Sequence, residues 1–295
     1  MKRLKYDPRV KQETSLHHGQ RKLLVSEIEW MTNNYDLFSP GQKYVLYIGA
    51  SPGYHISYLK AMFADIHYIL YDPDPIKLKP SENVEIYQDF FKDEDAEKYK
   101  NMNLFMISDI RNLEIAKARE KKDYKKYDEI ILNDLMLQKK WYETIKPKTA
   151  LLKFRLPWFA KYTKYLDGDL YFQAWIKNMS AEMRMVPKFG TEKIWDNKEY
   201  EEILFHHNMV TRKKRFINDK YSCVGKCYDC LVEANILNNY IKKFKPHINN
   251  KIMQVCDISI SITLFLARYI KRIKIDKSHL KYLSYASENP STIDI

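Results

Sequence analysis

The chain has 295 residues, of which 45% are hydrophobic, and carries 50 Lys and Arg against 38 Asp and Glu, a formal net charge of +12. This apolar fraction excludes a disordered chain, and the length allows one large α/β domain or two small ones. The positive charge favours a polyanionic partner such as nucleic acid, with a generally basic soluble protein as the alternative. The start MKRLKYDPRV lacks a signal-peptide core and no later run reaches membrane-spanning length, so we expect a soluble, intracellular protein.

Five apolar runs predict the strands of a mainly parallel sheet: Tyr44–Ile48, His67–Tyr71, Val84–Tyr87, Leu104–Ile107 and Ala150–Phe154. The segments between them are mostly compatible with helices, among them Tyr54–Phe63 and Ile130–Ile145. Two further strands, Tyr165–Ile176 and Met183–Val186, would add an antiparallel edge, and the pattern is helical from Asn197 onward. We therefore expect an α/β, Rossmann-like fold with helices on both faces of the sheet and extra C-terminal helices.

The stretch VLYIGASPGYHISYL, from Val45 to Leu59, reads as an apolar strand, a glycine turn and an amphipathic helix. Two of the seven glycines, Gly49 and Gly53, fall in this turn, where they provide dihedral freedom and room for a ligand. The run Gly-Ala-Ser-Pro-Gly does not match G-x-G-x-x-G, which argues against a pyrophosphate cradle.

Asp72 ends the next apolar run, where the second strand of a doubly wound sheet offers a carboxylate to ribose hydroxyls. Together with the glycine turn, this carboxylate favours a nucleoside cofactor, and S-adenosylmethionine (SAM) fits best. An NAD-like cofactor and a purely structural turn are the alternatives, and Asp72 could instead cap a helix or lie in a loop.

Three cysteines are clustered as C-x3-C-x2-C at Cys223, Cys227 and Cys230, and Cys256 lies in another apolar stretch. Helical sequence around the last two cluster members favours reduced, partly buried thiols over a structural zinc site, which normally takes paired ligands from tight turns.

Four charged residues stand next to strand ends or turns: Lys22 in HHGQRKLL, Asp109 in MISDIR, Lys153 in LLKFR and Glu182 in SAEMR. We call them the tetrad. Lys153 lies within an apolar strand, where burial of an ammonium is costly and depresses its pKa. Such a lysine could accept the proton of a ribose 2′-hydroxyl as the oxygen attacks the SAM methyl group. A second lysine nearby would help to hold that pKa down, and Asp109 and Glu182 would orient the amines. Each residue taken alone is more often a surface or salt-bridge group.

The order Lys, Asp, Lys, Glu resembles the tetrad of the FtsJ-like RNA ribose 2′-O-methyltransferases. More closely, the chain resembles the poxvirus cap-specific mRNA 2′-O-methyltransferases, which are also the small, stimulatory subunit of poly(A) polymerase. The resemblance covers about Tyr6 to Ile275 and is carried by HHGQRKLL, VLYIGASPGYHISYL, MISDIR, LLKFRLPW and SAEMR.

The resemblance implies a SAM-dependent methyltransferase fold and cap 1-forming methylation of the first transcribed nucleotide of m7G-capped mRNA. It implies that the tetrad is catalytic, that no metal is required, and that the poly(A) polymerase catalytic subunit is a heterodimer partner. It also implies a viral protein located in the cytoplasm, in a viral factory or in the virion.

By motif, the resemblance assigns the SAM contacts as follows. The methionine part would meet Gln20, Tyr47, Gly49, Ser51 and Gly53; Asp72 would hold the ribose; Phe90 and Phe91 would border the adenine; and Asp109 also belongs to this set.

In the implied cap pocket, Tyr6 and Trp158 stack on the positively charged 7-methylguanine, and Glu201 accepts hydrogen bonds from the guanine edge. Arg111 and Arg155 would meet RNA phosphates, and Ser180 the RNA backbone. Two positions depart from the family pattern: Trp158 replaces a phenylalanine, and Ala160 stands where an acid of the cap site is expected.

We expect a single methyltransferase domain over 1–295. It comprises an N-terminal cap-site and tetrad segment (1–40), a SAM-binding and catalytic core (41–195), a helical C-terminal part (196–285) and a flexible tail (286–295). The alternative functions are an RNA-binding poly(A) polymerase accessory protein without essential methyltransferase activity, and an FtsJ-like methyltransferase of uncapped structured RNA.

Overall fold

A mixed sheet of seven strands forms the centre of the computed structural model, which describes residues 3–7, 9–10, 18–112, 114–213 and 227–271. The strands are β1 Lys43–Ile48, β2 Ile66–Tyr71, β3 Val84–Tyr87, β4 Leu104–Ser108, β5 Thr149–Phe154, β6 Tyr162–Tyr171 and β7 Met183–Asp196. Their order is β3-β2-β1-β4-β5-β7-β6. The first five are parallel, and β7 pairs antiparallel with both β5 and β6.

The strand order reverses between β1 and β4, which pair directly. In such sheets the crossover helices diverge at the reversal and leave a crevice beyond the carboxyl ends of the strands, where ligands bind. The α/β fold with a mainly parallel sheet, predicted from the apolar runs, is confirmed by this topology.

Helices cover both faces of the sheet. They are α1 His18–Asn34, α2 Tyr54–Met62, α3 Asp93–Lys98, α4 Glu114–Glu120, α5 Tyr124–Ile145, α6 Asn197–His206, α7 Tyr228–Phe244 and α8 Lys251–Lys271. Side chains alternate along β1, so that Val45 and Tyr47 join the core formed with α1, α2, α7 and α8, while Leu46 and Ile48 join the core formed with α3, α5 and α6. None of the described helices is long and apolar enough to cross a membrane.

The β6–β7 hairpin departs most from the strands expected from sequence. β6 starts at Tyr162 and ends at Tyr171, before the expected Ile176, and β7 continues to Asp196 instead of ending at Val186. Residues 188–194 of β7 are exposed, so they lack the hydrophobic pattern that marks a buried strand. Backbone pairing of residues 192–196 with β6 maintains the far end of the strand.

The described cysteines lie on the C-terminal helices. Cys227 precedes α7, where its sulfur accepts a hydrogen bond from the Cys230 backbone N–H at 3.3 Å, and neither cysteine is in a disulfide. Cys256 on α8 is disulfide-bonded, so the expectation of reduced thiols is wrong there, because spacing along the sequence does not report proximity in the fold. Cys223 and the proposed flexible tail lie outside the described residues.

Candidate active site

The four tetrad residues come together at the carboxyl edge of the sheet. Lys22 reaches it from α1, Asp109 directly follows β4, Lys153 lies near the end of β5, and Glu182 directly precedes β7. The Lys153 Nζ is 2.9 Å from Asp109 Oδ1 and 3.9 Å from Glu182 Oε2, and Lys22 forms an ion pair with Glu182. Residues up to 160 positions apart in sequence thus form one charge cluster.

Arg184 completes this cluster, although sequence reasoning did not single it out. Its side chain is 2% exposed, and its Nη2 lies 2.8 Å from Asp109 Oδ1 and 3.5 Å from Glu182 Oε1. The available signal was alternation, since Arg184 lies two residues after Glu182 and so faces the same side of an extended chain. Arg111, 60% exposed, adds a looser contact with Glu182 at 3.5 Å.

The cluster tunes its own protonation states. Burial lowers the pKa of Lys153, nearby Asp109 and Glu182 oppose that effect, and Arg111 and Arg184 reinforce it. Burial acts to raise the pKa of Asp109, but Arg184 and Lys153 outweigh it and the pKa is lowered. The pKa of Glu182 is likewise held well below its usual value, because Lys22 and Lys153 outweigh burial. Two ionised carboxylates therefore surround an amine that releases its proton more readily than an exposed lysine does.

The glycine turn lies directly against this cluster. Gly49 and Gly53 have φ values of +84° and +69°, in the left-handed region that favours glycine. A Cβ on Gly49 would lie 2.8 Å from the Asp109 carbonyl carbon, so no side chain fits between the turn and the end of β4. The glycine turn is therefore in direct contact with the backbone of Asp109, a member of the tetrad.

Asp72 borders the same crevice from the end of β2. Its Oδ2 accepts a hydrogen bond from the Ser51 backbone N–H at 2.9 Å, and its Oδ1 accepts one from the Asp74 N–H at 2.8 Å. A carboxylate has about four lone-pair sites, so acceptor capacity remains for the two hydroxyls of a ribose. The bare turn, the half-buried carboxylate and the reversal of strand order fit a nucleoside cofactor.

Gln20 and Tyr47 occupy different depths beside this turn. Gln20 is half-buried, and its Oε1 accepts a hydrogen bond from the His55 backbone N–H at the start of α2, at 3.3 Å. Tyr47 is fully buried, and its hydroxyl donates to Glu27 Oε1 at 2.7 Å. The Tyr47 ring therefore lies in the core between the sheet and helices α1 and α2.

Phe90 and Phe91 separate in the same way. Phe91 is a core residue whose ring packs edge-on against Tyr71 and Trp141, both at 5.0 Å between ring centroids. Phe90 is 63% exposed. Adjacent residues of an extended segment point to opposite sides, which is why one ring of the pair is exposed and the other buried.

The residues expected to form a cap pocket lie together at one side of the tetrad. The Tyr6 and Trp158 rings are 6.5 Å apart between centroids and inclined by 45°. Tyr6, Ser180 and Glu201 line one small cavity. The backbone N–H of Trp158 donates to Asp128 Oδ1 at 2.9 Å, which anchors that ring to α5.

The Tyr6 side of this pocket is held by an extended N-terminal segment, residues 3–7. The Leu4 backbone N–H donates to His206 Nδ1 at 3.0 Å, and Arg3 pairs with Glu199 at 2.8 Å. Both side chains of that ion pair are largely exposed, Arg3 by 47% and Glu199 by 59%. The segment is thus attached to α6 by these exposed contacts and by the Tyr6 ring, which packs edge-on against the buried Phe205 at 5.3 Å between centroids.

Arg155 lies against the pocket rings. Its guanidinium carbon is 5.0 Å from the centroid of Tyr127 and 5.2 Å from that of Trp158, within the range of cation–π attraction. Burial raises the pKa of Glu201, and Arg155 counteracts that rise. Ala160 lies outside the pocket, in an open apolar groove lined also by Tyr124, Leu132 and Phe159.

The chain matches the family model described as poly A polymerase regulatory subunit over residues 1–270. A Myxoma virus (strain Lausanne) protein named cap-specific mRNA (nucleoside-2′-O-)-methyltransferase is 27% identical over 243 residues, or 74% of this chain and 70% of that protein. A Fowlpox virus (strain NVSL) protein of the same name is 29% identical over 247 residues, 76% of each. Bluetongue virus VP4, whose structure is described as a multifunctional RNA-capping production line, gives a TM-score of 0.41 at 16% identity, covering 70% of this chain and 33% of VP4.

Proposed function

The chain belongs to the poly(A) polymerase regulatory subunit family, and on that basis we propose that it methylates the 2′-oxygen of the first transcribed nucleotide of m7G-capped mRNA. The family membership confirms the resemblance seen in the motifs. Relatives named as 2′-O-methyltransferases imply the same reaction class and a methyl donor. The observation that carries the proposal is the buried Lys153 amine, paired with Asp109 at 2.9 Å beside the glycine turn.

Lys153 is the general base in this proposal. A ribose 2′-hydroxyl is a weak nucleophile, and a positioned amine with a lowered pKa takes up its proton as the oxygen attacks. When bound, SAM would supply a methyl group already activated by the positive sulfonium. Asp109 and Glu182 orient the two lysines. Arg184 and Lys153 keep Asp109 ionised, and Lys22 and Lys153, with a smaller contribution from Arg184, keep Glu182 ionised. The enzyme's contribution is positioning and deprotonation.

We assign the crevice between β1 and β4 to SAM. Asp72 would accept hydrogen bonds from the ribose hydroxyls, and Gly49, Ser51 and Gly53 would offer bare backbone to the methionine part. Gln20 would donate to that part from α1. Phe90 would border the adenine, because its ring is exposed. The Phe91 ring is buried and does not suit this role.

We assign the pocket between Tyr6 and Trp158 to the 7-methylguanine. A flat base between two rings needs about 7 Å, since each van der Waals contact spans about 3.5 Å. The 6.5 Å separation is close to this, and the 45° inclination between the rings would have to close for both rings to stack on the base. Glu201 would accept from the guanine edge, and Arg155, placed against both the ring and that carboxylate, would hold them in position rather than reach into solvent.

RNA beyond the cap would pass the tetrad. Arg111, exposed at the edge of the cluster, would pair with a phosphate, and Ser180 would contact the RNA backbone.

As a second function, we propose stimulation of a poly(A) polymerase catalytic subunit, which the family description supports. Because the relatives are viral proteins, we propose action in the cytoplasm of infected cells or in the virion.

The test is methyl transfer from labelled SAM to short RNAs that carry an m7GpppG cap, a GpppG cap or a 5′-triphosphate. We expect transfer to the m7G-capped RNA alone and its loss in Lys153→Ala. Transfer to uncapped RNA would instead indicate an FtsJ-like enzyme of structured RNA. SAM binding without transfer to any RNA would favour the accessory role.

Polymerase stimulation is measured separately, as poly(A) extension by the catalytic subunit with wild-type protein or Lys153→Ala. Equal stimulation by both proteins is the expected result, because the substitution lies in the methyl-transfer site. Loss of stimulation in the variant would contradict independent functions.

A further inference from the structure

A line of buried polar side chains runs from the cofactor crevice into the layer between the sheet and helices α1 and α2. It consists of Gln20 and Glu27 on α1, His55 on α2 and Tyr47 on β1. His55 and Glu27 are each 1% exposed, and Tyr47 is fully buried, whereas Gln20 lies at the crevice boundary. Buried polar groups of this kind are costly unless each finds a partner, so their hydrogen bonds can be assigned one by one.

The backbone N–H of His55 identifies which atom of the Gln20 amide is the oxygen. A backbone N–H can only donate, so the Gln20 atom 3.3 Å from it must be the oxygen Oε1. The same Oε1 is 2.9 Å from His55 Nδ1, which must therefore carry a proton. Two donors from one residue thus hold the oxygen of Gln20.

The nitrogen of the Gln20 amide, Nε2, is consequently available to a ligand. It carries two N–H donors and makes no hydrogen bond to any part of the chain that the structure describes. It lies next to the start of α2, directly after Gly53 of the turn. Two N–H donors at this place suit a carboxylate.

The opposite side of the His55 ring faces Tyr47 and Glu27. Tyr47 donates its hydroxyl proton to Glu27 Oε1 at 2.7 Å, and burial raises the pKa of Tyr47 well above its ordinary value, so the proton stays. His55 Nε2 is 3.2 Å from the Tyr47 hydroxyl and 3.3 Å from Glu27. Both contacts are longer than the one between Nδ1 and Gln20, at 2.9 Å. The ring is therefore held between Glu27 on one side and Gln20 on the other.

We propose that His55 is a positioning residue for the cofactor: its Nδ1–H and backbone N–H turn the Gln20 amide so that the Nε2 donors face the carboxylate of the methionine part of SAM. This inference rests on the proposed function, because it assigns the carboxylate to SAM. It adds a residue that does not touch the cofactor: His55 lies behind Gln20 and acts through its hydrogen bonds to the Gln20 amide.

Two matched substitutions separate the two sides of the ring. His55→Asn keeps an N–H donor near the Nδ1 position, and His55→Gln keeps one near the Nε2 position instead. The full-length chain is titrated calorimetrically with S-adenosylhomocysteine, which carries the amino acid, and with 5′-methylthioadenosine, which lacks it. We expect His55→Asn to keep the wild-type preference for S-adenosylhomocysteine. We expect His55→Gln to lose about tenfold or more of that preference, because the shorter bond at 2.9 Å is lost and only the longer backbone bond to Gln20, at 3.3 Å, remains.

A third substitution avoids the buried residues. Gln20→Glu keeps an acceptor for His55 but replaces both Nε2 donors with a carboxylate oxygen, so it should weaken S-adenosylhomocysteine binding by about tenfold or more and leave 5′-methylthioadenosine unaffected. An unchanged preference in Gln20→Glu would overturn the inference, as would an unchanged preference in a folded His55→Gln. If wild-type protein bound neither compound, the SAM assignment itself would fail; if it bound both while the variants behaved like wild type, only this inference would fail.

Discussion

The guanidinium of Arg21 and the carboxylate of Glu233 form a buried two-point ion pair, with Nε to Oε2 and Nη2 to Oε1 both at 2.7 Å. Trp175 Nε1 and Ser259 Oγ donate to the same carboxylate, each at 2.7 Å. The pair joins α1 to α7, and Arg21 directly precedes Lys22 of the tetrad. The C-terminal helices therefore hold the helix that presents one of the proposed catalytic lysines.

Glu233→Gln should lower the free energy of unfolding by about 3–5 kcal/mol, because it leaves the Arg21 charge buried without a countercharge. Urea unfolding measures this change. The double substitution Arg21→Met with Glu233→Leu should cost clearly less than the sum of its single substitutions, since no charge is left unpaired. Additive losses would show that the two residues act independently.

The single-turnover rate of methyl transfer should rise with pH and level off below the ordinary lysine pKa of 10.5, because burial lowers the pKa of Lys153. Below the midpoint, each pH unit should reduce the rate about tenfold, in proportion to the neutral amine. Stopped reactions with m7G-capped RNA across the pH range give this profile. A rate independent of pH would argue against Lys153 as the base.

Lys153→Arg should keep the ion pair with Asp109 and yet lower the rate by about 10²- to 10⁴-fold, because a guanidinium does not release its proton. The control is Lys164→Arg on β6, whose side chain is 69% exposed and pairs with Glu192. That variant should retain the wild-type rate. Near-normal activity of Lys153→Arg would assign proton removal to another group.

Gly49→Ala should abolish S-adenosylhomocysteine binding or unfold the protein, because its Cβ would lie 2.8 Å from the Asp109 backbone. Gly190→Ala is the matched control, with a similar φ of +72° and no atom within 4 Å of the added carbon. Comparing thermal melting and calorimetric titration separates the collision from the backbone strain that both share. Equal effects of the two substitutions would contradict a special close approach at Gly49.

Trp158→Ala should raise the KM for m7G-capped RNA by about tenfold or more, since stacking of an aromatic ring on a base contributes about 1–3 kcal/mol. Trp158→Phe, which keeps a flat ring, should have a much smaller effect. Initial rates at varied RNA concentration provide the comparison, with SAM saturating. If Trp158→Ala left the KM unchanged, the cap pocket would have to lie elsewhere.

Sequence reasoning was most successful where a residue's surroundings are set by its neighbours in the chain. The apolar runs predicted the five parallel strands to within two residues at either end, and Lys153 was recognisable as a charge inside one of them. The placement of Tyr47 and Phe91 in the core was not foreseen, because a motif reports chain position and not which way a side chain faces. Arg184 was missed because its importance arises from its contact with Asp109, which only the folded sheet brings near it.

The attachment of the N-terminal segment has a kinetic consequence for the pocket that it helps to form. Trp158 is anchored to α5 through its backbone N–H, whereas the residues that flank Tyr6 reach α6 through exposed contacts. An exposed ion pair such as Arg3 with Glu199 contributes only about 0–1 kcal/mol. In the proposed function, exchange of a capped end would displace Tyr6 and this segment rather than Trp158, which breaks the exposed contacts and also the edge-on packing of the Tyr6 ring against the buried Phe205, at 5.3 Å between centroids. Turnover should therefore be compared in protein that carries its affinity tag at one end or at the other.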